Sequence, residues 1–146
     1  MGNRKHRGFT LIELMIGVSI VAILVSVAYP SYIQYAQRAR RADATVALMR
    51  TAQQMERCLT VNNSYTLAAG CTVPNNNPSP DVHYNVAVTG RTGTAYVLTA
   101  TPVAGGAQAG DSHCTSYGMN QLSQRCANGL CEPAGGAAAE ITKCWR

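Results

Sequence analysis

One stretch of 21 residues constrains this chain more than any other: FTLIELMIGVSIVAILVSVAY, Phe9 to Tyr29, carries a single charge, Glu13. At ~1.5 Å rise per residue, a helix of that length spans roughly 30 Å, the thickness of a bilayer's hydrocarbon core. A membrane-spanning helix is therefore expected. Arg4, Lys5 and Arg7 precede it, which predicts a cytoplasmic N-terminus and export of everything that follows. The run is longer than the ~7 to 15 residue core of an ordinary secretory signal, and no small-x-small cleavage site stands at its far end. A plain anchor accounts for all of it except Glu13, since a carboxylate at the centre of a spanning helix costs roughly 2.5 to 3.5 kcal/mol on insertion scales. Something must offset that cost.

The 146 residues fit one domain, and a hydrophobic content of 47% is enough for a small core beside the apolar helix. A large multidomain enzyme is excluded. The formal charge of +5 looks basic until it is placed along the chain. Without the first eight residues, nine basic side chains face seven acids, leaving +2. Net charge thus argues little for nucleic acid. Six cysteines in a short exported chain predict structural disulfides. Fifteen pairings are open, and spacing does not choose among them. Metal binding is the rival, but there is no CxxC, and Cys126 with Cys131 has no second pair at finger spacing.

Pro30 removes a helical bond to the Ser26 carbonyl and invites a kink. The helical pattern resumes over residues 31–59, where Ala44, Leu48, Ala52, Met55 and Leu59 recur at steps of four, four, three and four. They form one apolar face, with Arg50, Gln53, Gln54 and Arg57 turned away from it. The Asn- and Pro-rich stretch from Asn62 to Asp81 reads as loop. Tyr84, Val86 and Val88 alternate, then Tyr96, Leu98 and Ala100, with a Gly-bearing turn between. That pattern predicts a hairpin. Residues 114–119 form a third, weaker strand, since Gly118 interrupts it. The tail from Ala127 is Gly/Ala-rich and is expected to be irregular until Cys144 and Trp145.

Gly8-Phe9-Thr10-Leu11-Ile12-Glu13, between a short basic leader and an apolar run, resembles the class III signal of type IV pilins and pseudopilins. The second half, YNVAVTGRTGTAYVLTATP with Asp111, Cys114 and Lys143-Cys144-Trp145, is similar to PilE-like minor pilins. The resemblance implies an α+β fold, a long N-terminal helix packed on an antiparallel sheet of three or four strands with a disulfide-framed C-terminal loop. It also implies a prepilin leader at 1–8, a membrane or filament-core helix at 9–30 and an exported head at 31–146. Cleavage between Gly8 and Phe9 by a prepilin peptidase and N-methylation of Phe9 follow from it, with Glu13 as the assembly residue and Pro30 as a family proline. The chemistry fits: cleavage creates an amine at Phe9, and the carboxylate of Glu13 supplies the opposite charge for a neighbour's amine in an apolar filament core. A glycine common near Pro30 is replaced by Ala22. Thr115, Gly118 and Ser123 stand where the family leads one to expect glycine, threonine and glycine, so a distorted third strand and turn are expected.

From the resemblance comes the pairing of Cys114 with Cys144 as the frame of the C-terminal loop. With it we expect Cys58 with Cys71, pinning the loop around Tyr65 to the helix end, and Cys126 with Cys131 as the remaining pair. The expected function is a minor pilin of a type IV pilus, in the inner membrane before assembly and in the extracellular filament afterwards. Its partners would be other pilin subunits, prepilin peptidase and the pilus assembly machinery. A pseudopilin of a type II secretion system is the alternative, and a pilus-borne DNA-binding or adhesin subunit is another. For DNA, Arg91, Arg125, Lys143 and Arg146 are too dispersed in sequence to show a stripe. Arg38, Arg40 and Arg41 cluster just past the apolar run, either touching headgroups or a neighbouring subunit or forming a solvated face. No catalytic residue, cofactor or metal is expected: His113 adjoins Cys114, but neighbours on a strand point to opposite faces.

Overall fold

The computed structural model describes residues 8–68, 71–132 and 138–145. The leader charges Arg4, Lys5 and Arg7, and Arg146, lie outside the described residues. The chain forms two units, residues 1–36 and residues 37–146.

In the first unit, helix α1 (Leu11–Asn62) begins at Thr10. Thr10 Oγ1 accepts the Glu13 amide at 3.3 Å, while Glu13 Oε2 accepts the Thr10 amide at 3.0 Å. This reciprocal capping box satisfies helix N–H groups that have no partner within the helix. The most apolar eighteen-residue stretch of α1 has a mean hydropathy of 2.6, and its side chains are exposed all round. That is long and apolar enough to cross a membrane. Pro30 lies inside the helix, which continues through it.

In the second unit, α1 runs on to Asn62 and turns one face inward: Ala44, Ala47, Leu48, Thr51, Met55 and Cys58 are buried, with Ala52 and Leu59 packed at the margin. Arg50, Gln53, Gln54 and Arg57 are exposed, as the periodicity predicts. The helix ends where Asn63 adopts a φ of 52° and donates its amide to the Leu59 carbonyl at 2.7 Å. Asparagine tolerates this left-handed position better than most residues.

Facing the helix is a single antiparallel meander, in which every strand lies beside the next in sequence. Its strands are β1 (Asn76–Pro78), β2 (Tyr84–Thr89), β3 (Val97–Pro102), β4 (Tyr117–Asn120), β5 (Arg125–Ala127) and β6 (Leu130–Cys131). The sheet therefore has six strands among the described residues, where three or four are expected. The extra ones are only two or three residues long: β1 lies in the stretch that reads as loop, β6 in the tail, and β5 between the third strand and the tail. Pro78 ends the edge strand β1, a place where a missing donor does no harm. The β2–β3 hairpin pairs Val86 with Ala100 and Val88 with Leu98, so the two alternating sets share the buried face. Each large apolar side chain buried there, such as Leu48, Val86 or Leu98, stabilises the fold by roughly 1.5 to 3 kcal/mol before the entropy of ordering it.

Gly118 does not interrupt β4 but stands inside it, opposite Thr99 and Cys126. A Cβ there would lie 3.0 Å from the Cys126 Cβ and 3.1 Å from the Leu98 carbonyl oxygen. The described part of the tail is not irregular either. Helix α2 (Ala138–Trp145) buries Ile141 and Cys144 against the core.

Candidate functional site

Gly8 and Phe9 lie exposed ahead of α1, Phe9 at 89%. The Glu13 carboxylate points back to Thr10, receiving its hydroxyl at 2.8 Å as well as its amide. Around it the helix presents Leu11, Ile12, Leu14, Met15 and Ile16 to the surroundings. Two hydroxyls in this apolar stretch satisfy themselves on the backbone, Ser19 on the Met15 carbonyl at 2.8 Å and Ser26 on the Ile23 carbonyl at 2.7 Å. Glu13 is the one carboxylate, and the one charged side chain, among residues 9–29.

The head is held by polar groups that sequence reading passes over. Arg41, grouped above with Arg38 and Arg40, is not part of a solvated basic face. It is buried, and its guanidinium donates to Asp111 through Nε and Nη2. Arg38 stays exposed, and Arg40 reaches the Ala107 carbonyl at 3.4 Å. The loop between β3 and β4 brings Asp111 to the helix through successive turns, with Gly106, Ala109 and Asp111 each donating an amide three residues back. Asp111 also accepts from Gln108 Nε2 and from the amides of His113 and Cys114. Burial pushes its carboxyl pKa up, but the Arg41 hydrogen bonds and charge, with those amides, outweigh this and hold it below the usual aspartate value.

Two residues further along α1, Asp43 accepts the Ser79 hydroxyl and the amides of Asp81 and His83. It clamps the turn between β1 and β2, in which Val82 takes a φ of 58°. Glu56 accepts from Tyr65 and Tyr96, whose rings meet edge to face at 4.8 Å. Burial, then the Glu56 hydrogen bond, raises the Tyr96 pKa well above that of an ordinary phenol.

Three disulfides are formed: Cys58–Cys71, Cys114–Cys144 and Cys126–Cys131. With Cys114 bonded to Cys144, no thiol stands beside His113. No three His, Cys, Asp or Glu side chains gather to hold a metal among the described residues.

The β5–β6 hairpin was also missed. Asn128 and Gly129, with φ of 51° and 81°, form its two-residue turn, and Asn-Gly between short strands is the strongest local signal for such a turn. Asn128 ties the hairpin to the start of β4, accepting the Thr115 amide and hydroxyl at 2.8 and 2.9 Å and donating to the His113 carbonyl at 2.9 Å. The expected distortion here is confined to the β4–β5 turn, where Ser123 has a φ of 57°.

Of the basic residues in the second half, Arg125 lies 5.5 Å over the Trp145 ring, and Lys143 pairs with Glu140 at 3.0 Å. The Trp145 indole donates to the Cys126 carbonyl. Arg91 is half-buried: Nη2 donates to the Val73 carbonyl at 3.0 Å, Nε and Nη1 have no partner among the described residues, and burial lowers its pKa.

Residues 30–118 match the family described as type IV minor pilin ComP, DNA uptake sequence receptor. Residues 3–29 match the prokaryotic N-terminal methylation motif. The chain is 46% identical over 46 residues to the type IV major pilin protein PilA of Myxococcus xanthus, a match covering 32% of this chain and 21% of that protein. It is 52% identical over 42 residues to the type IV major pilin protein PilE1 of Neisseria gonorrhoeae, covering 29% and 26% respectively. The matched segments thus span about a quarter or less of these relatives. Among solved structures, the Neisseria meningitidis non-core minor pilin PilV aligns with a TM-score of 0.51 at 20% identity, covering 66% of this chain and 90% of that one. The likeness to PilV is one of fold.

Proposed function

The chain belongs to the type IV minor pilin ComP family, and from that premise we propose that it is a minor subunit of a type IV pilus, assembled through its N-terminal helix after loss of residues 1–8. Residues 9–30 anchor it in the inner membrane and later lie in the filament core. Residues 31–146 form the exported head. Its partners are other pilin subunits, the prepilin peptidase and the assembly machinery. The observation that carries this reading is the exposed apolar wall of α1 with Glu13 as its one charged side chain. Such a surface requires lipid or apolar helices around it, and a carboxylate that has hydrogen bonds but no counter-charge there favours a partner of opposite charge. Mass spectrometry of sheared pili tests it: the subunit should be present and begin with N-methyl-Phe9. A chain cut after residue 20, or one found only with secretion-system pseudopili, overturns it.

A second role, DNA binding by the head, is favoured by the description of the matched family. Full-length protein in detergent micelles, titrated with fluorescent duplex DNA at several salt concentrations, tests this. Affinity should fall as salt rises, with a slope set by the number of phosphates contacted. Absence of binding by the wild type at low salt would remove the second role and leave the filament role standing.

A further inference from the structure

The three disulfides differ sharply in setting. Cys58, Cys71, Cys114 and Cys144 are each at most 2% exposed. Cys126 is 6% exposed and Cys131 is open to solvent. Thiol–disulfide exchange needs a thiolate to reach one sulfur of the bond, and Cys131 is the cysteine the fold presents.

Position reinforces exposure. Cys126 and Cys131 are directly opposed on β5 and β6, and β6 is the last strand of the sheet. Opposed residues on neighbouring strands share a face. Register therefore puts this bridge with Gly118 and Thr99, on the sheet face opposite the one that carries Leu98, Met119 and Tyr117 toward α1. Gly118 contributes no side chain beside it, and its missing Cβ is what lets Cys126 lie so close to β4.

The bond also closes the shortest loop of the three. Its sequence separation is 5, against 13 and 30 for the others, and a short loop loses little entropy when closed. The hairpin has independent fastenings in the Asn128–Gly129 turn, the three Asn128 side-chain hydrogen bonds, the Glu132 amide to the Arg125 carbonyl and the Trp145 indole on the Cys126 carbonyl.

We propose that Cys126–Cys131 is a redox-exchange site on the outer face of the head, open to a dithiol reductant, while the other two bridges are permanent. In the exchange, a thiolate of the dithiol attacks Cys131 Sγ, the S–S bond breaks, and Cys126 leaves as a thiolate that takes up a proton. The second thiol of the reductant then attacks the mixed disulfide, releasing the Cys131 thiol. The reductant becomes a disulfide and the chain gains two electrons and two protons.

The test exposes folded, full-length protein in detergent micelles to graded dithiothreitol, traps free thiols with iodoacetamide and maps them by peptide mass spectrometry. Cys126 and Cys131 should be labelled at least about ten-fold faster than the other four cysteines. Earlier labelling of Cys58, Cys71, Cys114 or Cys144, simultaneous labelling of all six, or no labelling short of unfolding would each overturn the proposal. The double variant Cys126→Ser/Cys131→Ser provides an independent reading. It should retain both other bridges and a Tm within about 10 °C of the wild type, and a larger loss would show the bond to be structural.

Discussion

The Arg41 guanidinium and the Asp111 carboxylate, 70 residues apart in the chain, meet in a two-pronged buried pair, Nε to Oδ2 at 2.7 Å and Nη2 to Oδ1 at 2.9 Å. The pair joins α1 to the loop that leads into β4. Removing one partner strands a buried charge, which costs about 3 to 5 kcal/mol.

Acid should reveal this pair. The Asp111 pKa is lower in the folded chain than its ordinary value, so the unfolded chain binds the proton first as pH falls. The pair's contribution is complete above the ordinary aspartate pKa of about 4 and is lost as pH drops through the lower folded value. Thermal melts from about pH 6 to pH 2 should show a steep fall below about pH 4 in the wild type. Asp111→Asn should melt lower at neutral pH, with a shallower acid limb. Parallel limbs in the two proteins would mean that other carboxylates carry the acid response.

Gly118→Val should destabilise the head by about 1 to 3 kcal/mol, because the new Cβ would press on the Cys126 Cβ and the Leu98 carbonyl. The strand backbone cannot yield as a flexible side chain would. Denaturant melts of the purified chain check this, and an unchanged midpoint would show that β4 can shift.

Asn128→Ala removes three hydrogen bonds and puts a Cβ-bearing residue with no side-chain acceptor at a φ of 51°. A loss of about 2 kcal/mol is expected. Hydrogen exchange should quicken at the Thr115 amide while the amides of the β2–β3 ladder stay protected. Uniform acceleration would mean that the turn holds the whole head together.

The assembly role proposed for Glu13 predicts that Glu13→Val inserts in the membrane and loses its leader normally, yet enters filaments poorly. Quantifying mutant against wild-type subunit in sheared pili measures this. Equal recovery would dismiss the charge argument. Pilus number is a weaker readout, since a minor subunit need not control it.

How much of the head can be read in advance depends on the range of the interaction. Tyr84, Val86 and Val88, or Ala44, Leu48 and Met55, declare their faces because strand and helix periods are local properties. The Asn128–Gly129 turn was equally local and legible, but the Gly/Ala-rich sequence around it obscured the short strands it joins. Arg41 is different in kind. Nothing nearby separates it from Arg38 and Arg40, and its burial is decided by a carboxylate that a distant loop delivers. Gly118 likewise looks like a strand breaker until Cys126 is placed across from it.

The sheet is a meander, so each strand can pair with the one just before it as the chain emerges on the far side of a membrane. Short-range pairings of this kind form with little loop-closure entropy and so form early. The helix has no such advantage. Its charged contacts, Asp43 with Ser79 and Arg41 with Asp111, await segments made 36 and 70 residues later. Order of synthesis thus leaves the polar latch of α1 unfastened until Asp111 has crossed, and a head halted before that residue would carry a half-built sheet beside a helix with an unmatched arginine.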